Sequence, residues 1–213
     1  DFPAALAASQ EAIHASRDPL YLLVVHGAHC QNVVLNGRVD PDFEDIVNRA
    51  RSLGIELLAN WLGGSLGVGR IIEGRMGEGM KLIEESSRRS LDNGDHYTHM
   101  VLDWIKGRIY LSMATGERPP TAFLMKILAF VIRSLPFAAR KAETLLEKSA
   151  GFFGEIEAHG TRAQVLLGLA KLHQARNRHE KARACLVEAE KLFEQVGAEM
   201  FLQRTRAELA ALR

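Results

Sequence analysis

Between Ala163 and Val196 the chain carries a residue spacing that few folds can produce. Leu166, Leu169, Ala170, His173, Ala182, Leu186 and Ala189 stand at positions 4, 7, 8, 11, 20, 24 and 27 counted from Ala163. Small residues at 8, 20 and 27 let two helices approach closely, and the larger ones at 4, 7 and 24 fill the seam between them. The spacing therefore asks for a helix, a turn and a second helix folded back on the first. One such hairpin cannot cover its own apolar face, so it needs stacked neighbours. A stack of hairpins presents a long surface, and that architecture points toward binding and away from catalysis.

These seven positions are the packing positions of a tetratricopeptide repeat, a unit of about 34 residues. Degraded copies recur upstream. Counting from Asn60, Leu66 and Gly67 take positions 7 and 8, and Gly79, Ile83 and Ser86 take 20, 24 and 27. Phe43, Val47 and Ala50 occupy the second-helix slots of a unit starting at residue 24. Gly107 and Tyr110 take positions 8 and 11 of a unit starting at Met100, while Ala142, Leu146 and Ser149 repeat the second-helix spacing. The fold class expected is all-α: a tetratricopeptide-like α-α superhelix, a right-handed solenoid of antiparallel helix pairs forming one domain over residues 1–213.

The apolar periodicity predicts helices near 4–15, 19–35, 41–52, 54–69, 74–90, 96–113, 121–135, 137–157, 161–175, 179–194 and 198–212. Breakers separate them at Asp18-Pro19, Asn36-Gly37, Asp40-Pro41, Asn93-Gly94, Gly116 with Pro119-Pro120, Pro136, Gly160 and Gly197. In this count the helix at 121–135 is surplus to a strict two-helix repeat. The starts of the clear units (24, 60, 100 and 163) also imply a period longer than 34.

Composition narrows the function classes. With 27 basic against 26 acidic residues, the chain lacks the broad positive field of a nucleic-acid binder. Its most apolar stretch, Phe123 to Leu135, is too short to span a bilayer and contains Lys126 and Arg133. Cys30 and Cys185 belong to no redox or metal spacing, which fits a reducing, cytoplasmic setting. The chain opens on Asp1 rather than Met, so we expect it to be part of a longer polypeptide.

Two features invite a catalytic reading. His26 and His29 lie three apart on one helix face with Cys30 beside them, and His96 and His99 repeat the spacing. Each pair offers two metal ligands, but zinc takes three or four protein ligands and no carboxylate accompanies either pair. A metal-dependent hydrolase is therefore the least favoured alternative. The run Gly63-Gly64-Ser65-Leu66-Gly67-Val68-Gly69-Arg70 looks like a phosphate loop but is not one. Ile72 stands where a dinucleotide fingerprint needs glycine, and Arg75-Met76 where a P-loop needs Lys then Ser or Thr. Close helix packing is the expected role, in a helix loosened or kinked by its glycines. No catalytic residue, metal or cofactor is assigned.

The C-terminal two thirds of the chain resembles a known group. The segments Gly107-Arg108-Ile109-Tyr110-Leu111, Ala114-Thr115-Gly116-Glu117-Arg118-Pro119 and Leu135-Pro136-Phe137-Ala138 carry the likeness. So do Gly168-Leu169-Ala170-Lys171-Leu172-His173, Arg178-His179-Glu180-Lys181-Ala182-Arg183 and Phe193-Glu194-Gln195-Val196-Gly197-Ala198-Glu199. They are similar to the tetratricopeptide region ending bacterial class III adenylate/guanylate cyclases that carry an AAA-type ATPase module. The chain departs from the repeat consensus at Asp103, in the Trp slot, and at Lys106, in a Leu slot.

The resemblance implies a non-catalytic interaction or sensory module regulating other domains of the same polypeptide. Its partner would be a protein or peptide, or a small molecule; no nucleic acid or membrane contact is implied. Similar arms end ATP-dependent transcription activators, where an inducer-sensing role is the alternative. In such repeats positions 2, 5, 9 and 12 of the first helix line the concave groove. Here those positions are Asn32, Trp61, Trp104, Arg108, Gln164, Lys171 and Gln174. Trp and Arg make strong interface anchors, although a one-residue register slip would send either tryptophan into the core. Arg108 and Lys171 suit an acidic peptide or carboxylate.

Overall fold

The computed structural model describes residues 2–15, 17–116 and 121–212. Among the described residues the secondary structure is entirely helical: α1 (Phe2–Ala15), α2 (Pro19–Leu35), α3 (Phe43–Ser52), α4 (Glu56–Ile72), α5 (Met76–Asp92), α6 (His96–Ala114), α7 (Thr121–Glu155), α8 (His159–Ala175), α9 (His179–Gln195) and α10 (Glu199–Ala211). Most ends fall within two residues of the sequence expectation, because each coincides with a local signal. Asp18 caps α2 by accepting the Tyr21 N–H at 2.8 Å, with Pro19 in the first turn.

The turns share one design. Gly54, Gly74 and Gly94 are spaced 20 residues apart, and so are Glu157, Asn177 and Gly197; all six have positive φ. The residue after each donates its N–H five positions back, as in Ile55 to Ala50 (3.0 Å), Arg75 to Arg70 (2.8 Å), and Arg178 to His173 (2.8 Å). This bond closes the end of the helix and turns the chain sharply. A 17-residue helix plus a three-residue turn therefore repeats for α4, α5, α8 and α9, so that a helix pair with its turns is longer than the 34-residue unit, as the spacing of the clear copies implied.

One expected break is absent. Pro136 does not separate two helices; it lies inside the 35-residue α7. Proline removes one N–H from the helical ladder and its ring crowds the carbonyl four residues back, which can bend a helix without ending it. Here no glycine or positive-φ residue stands near it to turn the chain, so strong helix formers on both sides carry the helix through. The surplus helix at 121–135 is thus the first part of α7. The breaker expected at Pro119-Pro120 lies outside the described residues.

The chain divides into two compact units, residues 1–102 with 121–130 and residues 103–120 with 131–213. In the first, Leu23, Cys30, Phe43, Val47, Ala59 and Leu62 belong to one buried cluster. Helix α4 is unbroken despite its glycines, because their faces are covered. A Cβ on Gly67 would lie 2.8 Å from the Gly79 carbonyl oxygen, and one on Gly79 only 2.4 Å from that of Gly67. Backbone meets backbone there, and no side chain fits between.

The second unit packs through side chains. Leu166, Leu169, Ala170, His173, Ala182, Leu186 and Ala189, the seven signature residues, are all buried. Ala142, Leu146 and Ser149 are fully buried on α7, and Gly107 of α6 admits Leu146, whose Cδ2 would sit 3.0 Å from an added Cβ.

A candidate partner-binding cleft in the second unit

Three helices of the second unit contribute one stripe each to a cleft of about 350 Å³. Helix α6 supplies Trp104, Arg108 and Leu111; α8 supplies Gln164, Gly168 and Lys171; α10 supplies Phe201, Arg204 and Glu208. Each set is spaced i, i+3 or i+4, and i+7, so each is one face of a helix. Ser112 and Leu167 complete the lining.

The helices are held by charge as well as by packing. Asp103, one residue before Trp104, is a buried carboxylate 2.6 Å from Lys106 Nζ and 3.1 Å from Lys148 Nζ. The two departures from the repeat consensus thus neutralise one another, and Lys148 ties α6 to α7. A carboxylate this buried would cost several kcal/mol unpaired. Glu143 of α7 accepts from Arg176 at 2.7 Å and Arg178 at 2.5 Å, fixing the α8–α9 turn. Arg162 pairs with Glu188 across α8 and α9.

Inside the cleft the Arg108 guanidinium lies 5.7 Å from the Trp104 ring centroid, a cation–π distance that holds the cation over the ring face. Trp104 and Phe153 also meet in a T-shaped pair with ring centroids 6.5 Å apart, which helps hold the indole in place. Arg204 pairs with Glu208 at 3.1 Å within α10. Arg108, Lys171 and Arg204 face a single acidic residue, Glu208, so the lining carries net positive charge beside apolar Trp104, Leu111, Leu167 and Phe201. An anion with an apolar body matches that combination. On α8, His173 is buried, and burial lowers its pKa below the ordinary imidazole value, favouring the neutral ring.

Of the residues expected to line a groove, Trp104, Arg108, Gln164 and Lys171 come together in this cleft. Gln174 is half-buried on α8 and does not line it. Asn32 and Trp61 belong to the first unit. Asn32 donates from Nδ2 to the Ala5 carbonyl at 3.3 Å, and Trp61 is half-buried against the apolar cluster there. Phe201, Arg204 and Glu208 of α10 are not among the residues that the repeat register picks out. Their signal is their spacing, legible only once α10 is known to continue the stack.

Of the second histidine pair, His96 is exposed and His99 is held against α5. His99 Nδ1 lies 2.9 Å from Ser87 Oγ and 3.0 Å from the Ser87 carbonyl oxygen. Among the described residues, no three or more His, Cys, Asp or Glu side chains are arranged to hold a metal ion. No helix among them is long and apolar enough to cross a membrane. No family model and no curated protein matches the chain.

Proposed function

We propose that the chain is a non-catalytic interaction module of tetratricopeptide-like architecture, and that the cleft between α6, α8 and α10 receives an acidic, partly apolar peptide segment. One observation carries this reading: four residues chosen from repeat register alone, Trp104, Arg108, Gln164 and Lys171, line a single cleft with Arg204 added from α10. Arg and Trp side by side supply directed charge and large contact area at low entropic cost. Following the resemblance of the C-terminal two thirds, the module would regulate nucleotide-cyclase and ATPase domains by biasing their arrangement when the cleft is filled.

The alternative, a sensory arm for a small anionic effector, draws support from the cleft volume of about 350 Å³, within the range of small-molecule sites. A titration separates the two. The chain contains two tryptophans, so Trp61→Phe leaves Trp104 as the sole reporter inside the cleft. An acetylated peptide of Asp and Glu with one Phe should change Trp104 emission saturably. Combining Arg108→Ala with Lys171→Ala should weaken binding by about 10- to 100-fold, as loss of two charge-assisted contacts implies. Binding that ignores both substitutions would sink the peptide reading. Response to small dicarboxylates but not to the peptide would favour the effector.

A further inference from the structure

The first unit holds a second cavity, of about 450 Å³, with the opposite chemistry. Asp40 and Asp42, from the connection between α2 and α3, line it with Asp45 of α3. Three imidazoles join them: His14 from α1, and His26 and His29 from α2. Cys30 and Ile46, both buried, form its floor, and Ile13 and Gln10 of α1 its wall. The one cationic side chain in the lining is Arg49. Three carboxylates therefore face one guanidinium, and hydrogen-bond acceptors outnumber donors.

The carboxylates are only partly engaged by the protein itself. Asp42 occupies the N-cap position of α3, where an aspartate ordinarily accepts a backbone N–H, yet its side chain makes no capping bond. Asp40 Oδ1 accepts the Asp42 N–H at 2.9 Å, and its Oδ2 lies 3.8 Å from His29 Nε2. The His29 ring is fixed by Ser9 Oγ at 3.0 Å from Nδ1. The negative potential reaches the floor. The Cys30 thiol is pushed up to about 12, by burial first and then by the charges of Asp40 and Asp42.

We propose that this cavity is a binding site for a small organic cation, an alkyl ammonium or guanidinium compound. Its charged head sits among Asp40, Asp42 and Asp45, and its alkyl body lies over Ile13 and Ile46. An ammonium group brings donors and no acceptor, which is what a lining of carboxylates and imidazoles lacks. The volume is that of a small-molecule site and far exceeds the needs of a bare ion. No three of these side chains are arranged to share a metal. The site is independent of the proposed cleft: it lies in the other unit and selects the opposite charge.

The probe is 1,5-diaminopentane, with 1,5-pentanediol as its uncharged counterpart, each titrated calorimetrically into the full chain. The diamine should bind saturably at one site, and the diol about tenfold more weakly or not at all. Asp42→Asn and Asp45→Asn alter exposed residues and should each weaken diamine binding about fivefold, while Arg49→Gln should tighten it about threefold. Equal binding of diol and diamine overturns the proposal, because the cavity would then select alkyl chain alone. So do unchanged affinities in both Asp variants, or no saturable heat up to about 10 mM diamine.

Discussion

Hairpin α4–α5 of the first unit and hairpin α8–α9 of the second share helix length and turn geometry, yet they close by opposite means. In α4–α5 the backbones touch at Gly67 and Gly79, where either added Cβ would strike a carbonyl oxygen. In α8–α9 the seam is filled by Ala170, Ala182, Leu186 and Ala189, all nearly or fully buried. The glycine seam brings the axes nearer but forfeits helix propensity and side-chain contact. The alanine seam keeps both. Two solutions to one packing problem explain why the repeat signature is clean in α8–α9 and degraded in α4–α5.

Exchanging the solutions should break each hairpin, unequally. Gly79→Ala forces α5 away from α4, because its Cβ would lie 2.4 Å from the Gly67 oxygen and 2.5 Å from Ile71 Cγ1. We expect a loss of about 2–4 kcal/mol in urea denaturation, typical of overpacking against unyielding backbone. A loss under about 0.5 kcal/mol, within the range of ordinary surface substitutions, would mean the helices separate freely and the glycine seam is dispensable. The reciprocal change, Ala182→Gly, should cost about 1–2 kcal/mol, through lower helix propensity and a lost methyl contact.

The smallest effect should appear in the turns. The first unit places glycine at residues 54, 74 and 94, whereas the second places Glu157 at the equivalent point, with φ of 55°. A side chain there is strained by about 1 kcal/mol, so Glu157→Gly should stabilise the chain by about that amount, read as a raised denaturation midpoint. No change would show that the strain is offset by a contact of the Glu157 side chain.

Helix positions were legible because apolar periodicity and turn residues point the same way at nearly every boundary. Pro136 misled because a proline is a local signal, while helix continuation depends on whether a turn residue accompanies it. Four of the eleven residues lining the cleft were legible too. Trp104, Arg108, Gln164 and Lys171 follow from register on α6 and α8, where Gly107, Leu166 and Ala170 fix the phase. On α10, Leu202 and Thr205 are buried, but they do not reproduce the seven-residue signature, so Phe201 and Arg204 carried no visible phase. The cavity of the first unit showed in the sequence only as His26, His29 and Cys30. Its carboxylates lie 10 or more residues downstream of Cys30 and meet the histidines only because α3 follows α2 after a short connection.

Asp103 and Lys106 bear on how this chain can change over generations. A carboxylate buried on α6 is tolerable because an ammonium group one helical turn away answers it at 2.6 Å. Replacing Asp103 by an apolar residue takes the carboxylate from both Lys106 and Lys148, whereas replacing Lys106 leaves Asp103 with Lys148 at 3.1 Å. The three positions are therefore coupled unequally: a change at Asp103 alters what is tolerated at both lysines, while a change at either lysine leaves the carboxylate one partner.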